Sequence, residues 1–197
     1  ICGRTDPTLD SNYEPEHPGI RALMRLINKR GHEIGLHPSY GSYQKPIEIA
    51  SEAARLQHIM SEEGLWQKEW GGRMHYLRWQ WPITAYGWEQ AGFQYDSTLG
   101  YAERPGFRCG TCHEYQMFDP IDQRPLNLRQ RPLIVMECSV LDELYLGLRH
   151  EPLIALSLIH KLQQRCQAVN GQFTLLWHNN QLTTTEDREF YRHIVMG

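Results

Sequence analysis

From Pro18 to Arg30 the apolar residues Ile20, Leu23, Met24 and Ile27 recur at helical spacing, and Gly31 closes the segment. Pro18 suits a first turn, where no backbone donor is needed, while Lys29 and Arg30 suit the negative end of a helix dipole. His32 to His37 then reads as a short strand that stops where Pro38 removes a donor from the ladder. Pro46 opens a second helix with a buried stripe of Ile49, Ala53, Leu56 and Met60, ending at Gly64. A second strand is predicted over Arg73 to Leu77. A short helix follows from Pro82 through Ala91, stopped by Gly92, and Phe93-Gln94-Tyr95 forms a brief strand reaching Asp96.

Between Ser97 and Arg131 no period holds, which predicts a long loop of the kind that is functional or poorly ordered. Leu133 to Met136 resumes as a buried strand ending on Glu137. Pro152 opens a long helix with Ile154, Leu158, Leu162 and Cys166 on one face, terminated by Asn170-Gly171. Gln172 to Trp177 is the last strand and delivers His178-Asn179-Asn180; Thr184 and Asp187 form a capping-box pattern for a final helix through Ile194. Strands alternating with helices imply a mainly parallel α/β sheet or barrel, between which periodicity does not choose. In either, the carboxyl ends of the strands share one face, which would gather His37, His75, Asp96, Glu137 and His178.

With 197 residues, 41% hydrophobic and 22% charged, the chain fits one globular domain and excludes a disordered class. A net charge of -3 offers no basic face for nucleic acid. No run reaches the about 18 apolar residues of a membrane helix, so no membrane span is expected. Five cysteines, an odd number in a chain too large to need stapling, favour a reducing compartment and a cytoplasmic location. Cys109-Gly110-Thr111-Cys112-His113 spells a haem c attachment motif, against which stands the plainer reading of two loop thiols. Ile1-Cys2-Gly3 reads as the end of a strand, with a preceding piece expected.

Imidazole is the commonest neutral ligand for zinc, although a histidine at a strand end can equally be a hydrogen-bonded structural residue. Gly31-His32-Glu33-Ile34-Gly35-Leu36-His37 resembles the GHEIGxH signature of polysaccharide deacetylases, the NodB-homology family. Arg73-Met74-His75-Tyr76 is similar to that family's next motif. Gly92-Phe93-Gln94-Tyr95-Asp96 resembles its GFxYD strand ending, and Leu175-Leu176-Trp177-His178 its last histidine motif. The HPSY, RxHYLR, YDSTLGY and WHN runs also look like a branch associated with bacterial surface-polysaccharide clusters.

What the resemblance implies is a distorted (β/α) barrel of the polysaccharide deacetylase type, one catalytic domain over residues 1–197 lacking its first strand. It would be a hydrolase removing an acetyl group from an N- or O-acetylated saccharide, free or nucleotide-linked, with a divalent metal, Zn2+ foremost. His37 would bind the metal and His178 would be the general acid, with Arg73 and Asp96 as further catalytic residues. Gly41 stands where the family supplies a second metal histidine, and His75 replaces the third motif's proline. His75 is therefore either a substitute ligand or a structural histidine. The family's aspartate pair is not found: Asp6 and Asp10 lie past Ile1-Cys2-Gly3 and do not match it. Tyr76, Trp79 and Trp81 would line a saccharide cleft, and Arg108 would orient an anionic group or sit in a rim salt bridge. Glu137 could hold a histidine in its tautomer. A non-catalytic saccharide-binding protein on the same fold is the alternative from another class.

Overall fold

The computed structural model describes residues 6–196; the expected strand end at Ile1-Cys2-Gly3 lies outside them. The chain forms a mixed α/β fold of two compact units, residues 1–98 with 115–130 and residues 99–114 with 131–197.

In the first unit, α1 (Pro18–Lys29) and α2 (Pro46–Glu62) follow the predicted bounds, and α2 buries Ile49, Ala53, Leu56, Ile59 and Met60. Each of these Ile, Leu and Met side chains withdrawn from water contributes about 1.5–3 kcal/mol. The sheet runs β1 (Gly71–Gly72), β2 (Tyr95–Asp96), β4 (Arg124–Gln130), β3 (Tyr115–Asp119), with β1, β2 and β4 parallel and β3 antiparallel to β4. Helix α3 (Ile83–Gln90) precedes β2 and buries Trp88 completely.

Three expectations for this unit are corrected. The strand predicted from His32 to His37 contributes a single bridge, Leu36 to Gly72. The strand predicted over Arg73 to Leu77 is instead β1 one step earlier. His75–Leu77 is a tight turn rather than a strand, with Tyr76 and Leu77 at positive φ of 56° and 53°, outside the extended region. The loop predicted between Ser97 and Arg131 contains the hairpin β3–β4. Leu126, Leu128 and Gln130 alternate inward between Asn127 and Arg129, and Asp119 Oδ1 closes the turn by accepting from Ile121 N at 2.8 Å. Pro125 is tolerated because β2 pairs only with Arg129 and Gln130, leaving β4 one neighbour there.

The second unit pairs β5 (Val135–Met136) in parallel with β6 (Leu175–Leu176), around which pack α4 (Glu137–Leu141), α5 (Pro152–Ala168) and α6 (Thr185–Met196). The face of α5 is turned from its predicted position: Ala155, Ile159, Leu162 and Cys166 are buried, whereas Ile154 is 54% exposed. A strict four-residue step drifts off a 3.6-residue helix, and the alternation of four, three and four stays on one side. The capping box at α6 forms as expected, with Asp187 N donating to Thr184 Oγ1 at 3.0 Å and Thr184 N to Asp187 Oδ2 at 3.3 Å. Among the described residues no helix is long and apolar enough to cross a membrane.

Candidate functional site

Two backbone hydrogen bonds, Leu36 N to Gly71 O and Arg73 N to Leu36 O, both 3.0 Å, set the segment carrying His37 beside β1. Only glycine allows that approach, since a Cβ on Gly72 would lie 1.9 Å from the Leu36 carbonyl oxygen. His37 therefore leaves the bridge next to Arg73, and its Nδ1 meets the Arg73 carbonyl oxygen at 2.7 Å. The turn after β1 brings His75 alongside, ring centroids 4.9 Å apart and planes at 63°. The Nδ1 of His75 lies 2.9 Å from Asp10 Oδ1, a carboxylate whose side chain is fully buried.

A carbonyl oxygen and a carboxylate are acceptors, so both imidazoles must donate from Nδ1, which leaves the Nε2 of an uncharged ring as a lone pair. Burial first, and then the neighbouring His75, push the His37 imidazole down to about 3, so it is uncharged at neutral pH. The surrounding loops are held as firmly. Ser39 N donates to Glu52 Oε2 at 2.9 Å, its hydroxyl to Glu52 Oε1, and Tyr40 N to Asp10 Oδ1 at 2.8 Å. Arg78 donates to the Tyr40 carbonyl at 2.9 Å and stacks on the Tyr40 and Tyr43 rings at 4.0 and 3.8 Å.

Of the expected saccharide-binding residues in this unit, Tyr76 is 61% exposed with its ring 4.8 Å from that of His75. Trp79 and Trp81 stack on one another at 6.2 Å. Arg73 donates to Ser97 O at 2.7 Å and to Ser97 Oγ at 2.8 Å, fixing the carbonyl that anchors His37. Asp96 is fully buried and accepts from Thr98 N at 2.7 Å and Thr98 Oγ1 at 2.5 Å. Burial outweighs those bonds and pushes its carboxyl up to about 7. Its oxygens are taken up by the Thr98 backbone and hydroxyl, beside the Ser97 that Arg73 holds.

In the second unit, β5 leads into Glu137, the first residue of α4 and 1% exposed, and β6 leads to His178, whose side chain is 44% exposed. Glu137 Oε1 accepts from His178 N at 3.0 Å, from the His178 ring Nδ1, and from the Cys138 thiol at 3.3 Å. Burial raises the Glu137 carboxyl, but its bonds to His178 outweigh this and hold it below the usual range. Glu137 Oε2 is buried with no hydrogen-bond partner, at a cost of about 1–3 kcal/mol. Burial, then the Glu137 charge, push the Cys138 thiol well above its ordinary value, so it stays protonated. Arg108 donates to the Gly100 carbonyl at 2.9 Å. Cys112 is buried against Gly171 and Cys166, which gives the haem c reading no exposed pair of neighbouring thiols.

His37 and His75 together present two imidazole Nε2 atoms, each ring oriented from behind by an acceptor as metal-ligating histidines are. Among the described residues the one set of three metal-type ligands within 4.8 Å of one another is Glu137, Cys138 and His178. Its members are already joined through Glu137 Oε1, and the thiol is in its weaker, protonated form. Asp10 and Cys138 had not been marked in the sequence as parts of a site. The Asp6-Pro7-Thr8-Leu9-Asp10 run signals a turn, but not that it ends on His75.

Neither a protein-family model nor a curated protein matches the sequence. A crystal structure from Mycobacterium smegmatis, described provisionally as a polysaccharide deacetylase, is 19% identical with a TM-score of 0.64, over 90% of this chain and 60% of that one. The chain thus spans about three-fifths of that structure and shares its mixed α/β fold.

Proposed function

We propose that this chain carries the catalytic chemistry of a metal-dependent hydrolase. It would remove an acetyl group from an N- or O-acetylated saccharide, free or nucleotide-linked, on a distorted (β/α) barrel of the deacetylase type, in bacterial surface-polysaccharide synthesis. The observation that carries the reading is the imidazole pair: His37 and His75, rings 4.9 Å apart, each held through Nδ1 by an acceptor. The resemblance of four motifs in order, and a fold shared with a structure described as a deacetylase, support it.

In this reading His37 and His75 would hold the ion through the ring nitrogens left free of those bonds. When bound, a divalent metal supplies a water of lowered pKa and polarises the acetyl carbonyl. Arg73 fixes the His37 ring through its carbonyl, and Asp96 orders the adjoining Thr98. Tyr76 offers an exposed ring for a sugar face. His178, with Nδ1 bound to ionised Glu137 and Nε2 directed away from that bond, is the group assigned to protonate the leaving amine or alkoxide. Two imidazoles are fewer than the three protein ligands a catalytic zinc ordinarily takes, so a further ligand is required.

That shortfall is the observation behind a second reading, a saccharide-binding protein without turnover. Acetate release from acetylated amino-sugar oligosaccharides separates the two. The hydrolase reading expects release that a chelator abolishes and zinc restores in the wild type, with none in His37→Ala. Zinc and sugar bound without acetate release favours the binding protein.

A further inference from the structure

We infer that Asp10 is the positioning residue of the imidazole pair, fixing the His75 ring and the loop that leaves His37 through one oxygen atom. The inference rests on the metal reading above. Asp10 Oδ1 takes two donors, His75 Nδ1 at 2.9 Å and Tyr40 N at 2.8 Å; Oδ2 takes Asp6 N at 2.8 Å. Tyr40 lies three residues beyond His37, so the loop after one imidazole and the ring of the other share a single anchor.

The segment that delivers Asp10 is built to present it. Asp10 N donates back to Asp6 O at 2.9 Å, and Asp6 Oδ1 accepts from Thr8 N at 2.8 Å, Thr8 Oγ1 at 2.6 Å and Leu9 N at 3.2 Å. The turn thereby satisfies its own polar groups and sends one carboxylate inward. With both oxygens engaged, Asp10 acts from behind His75 rather than as a ligand.

A buried anion is costly unless its bonds compensate, so a purely structural link between a ring and a loop would be served as well by a neutral acceptor. A carboxylate adds something specific. Any acceptor there selects the Nδ1–H form of His75, as the Arg73 carbonyl does for His37, but the charge of a carboxylate also strengthens Nε2 as a donor by drawing on that hydrogen. The carboxylate–imidazole–metal relay is the arrangement in which loss of the outer partner lowers metal affinity by about 10- to 100-fold.

The test uses the full chain, with zinc affinity measured by competition with a chromogenic chelator. The tautomer of His75 in the metal-free protein is read from two-bond proton–nitrogen correlations, assigned with His75→Gln. Asp10→Asn retains the side-chain shape, and Asp10→Ala removes the link. Both should lose zinc affinity by about 10- to 100-fold, and in Asp10→Ala His75 should leave the Nδ1–H form, while thermal unfolding of Asp10→Asn stays close to wild type. Wild-type affinity in both variants, with His75 of Asp10→Ala still protonated on Nδ1, overturns the assignment. If the wild type binds no zinc yet His75 changes tautomer in Asp10→Ala, Asp10 does hold the ring and the metal reading alone falls.

Discussion

In the first unit His37 and His75 each give an Nδ1 hydrogen to an acceptor; in the second, His178 does the same towards Glu137. The side chain of His75 is 16% exposed and that of His178 is 44% exposed. Similar anchoring suits two different chemistries in the proposed reading. Where the ring is withdrawn from water beside another imidazole, its charged form is disfavoured, as for His37, and its lone pair suits a cation. Where the ring stands in solvent on a buried carboxylate, it can take and give protons without moving.

The comparison breaks most visibly with His37→Ala against His178→Gln. His37→Ala should abolish stoichiometric zinc binding, a larger loss than the about 100-fold expected on removing an outer partner. His178→Gln should keep zinc affinity while kcat falls about 10²- to 10⁴-fold, the usual contribution of a general acid. Equal loss of zinc in both variants, seen in equilibrium dialysis, would collapse the distinction.

A pH effect of intermediate size sharpens the role of Asp96. Its carboxyl is raised to about 7 by burial, so the native state holds a proton that the unfolded chain releases near 3.8. Stability is then greatest below that lower value and is lost as pH rises towards about 7, by a few kcal/mol in all. His37, lowered to about 3, acts oppositely between about 3 and its ordinary 6.5, where stability grows with pH. The two partly cancel in the wild type, so the difference between wild type and Asp96→Asn isolates Asp96. Its relative stability in urea should favour wild type at pH 5 and the variant at pH 8; a flat difference removes the buried proton from the account.

The smallest effect concerns Tyr76, whose φ of 56° is strained for a side-chain-bearing residue. In Tyr76→Gly, relief of strain should offset the lost ring contacts to within about 1 kcal/mol, while KM for the saccharide rises severalfold with kcat retained. Unchanged KM in steady-state assays takes Tyr76 out of the substrate surface.

Much of this was legible in the sequence where punctuation and period coincide. Gly31 and Pro38 bracket the segment of His37, the stripe of α2 needs only its spacing, and Thr184 with Asp187 states its cap outright. The hairpin was missed: Leu126, Asn127 and Leu128 do alternate, but Pro125 and the arginines around them hide the period. What stayed hidden depends on distance or unusual backbone. Tyr and Leu carry no mark of the left-handed turn that follows His75, and Asp10 meets that ring across 65 residues. That Glu137 could hold a histidine was foreseen, though not that the histidine is His178, and Cys138 became relevant only once α4 folded.

The central claim, that the imidazole pair holds the metal, is tested most directly by zinc K-edge absorption on the wild type, His75→Ala and Cys138→Ser. The account predicts a nitrogen and oxygen shell at about 2.0–2.1 Å with two imidazoles in the wild type, one in His75→Ala and two in Cys138→Ser. A sulfur shell at about 2.3 Å that disappears in Cys138→Ser would place the ion at Glu137, Cys138 and His178 and contradict it.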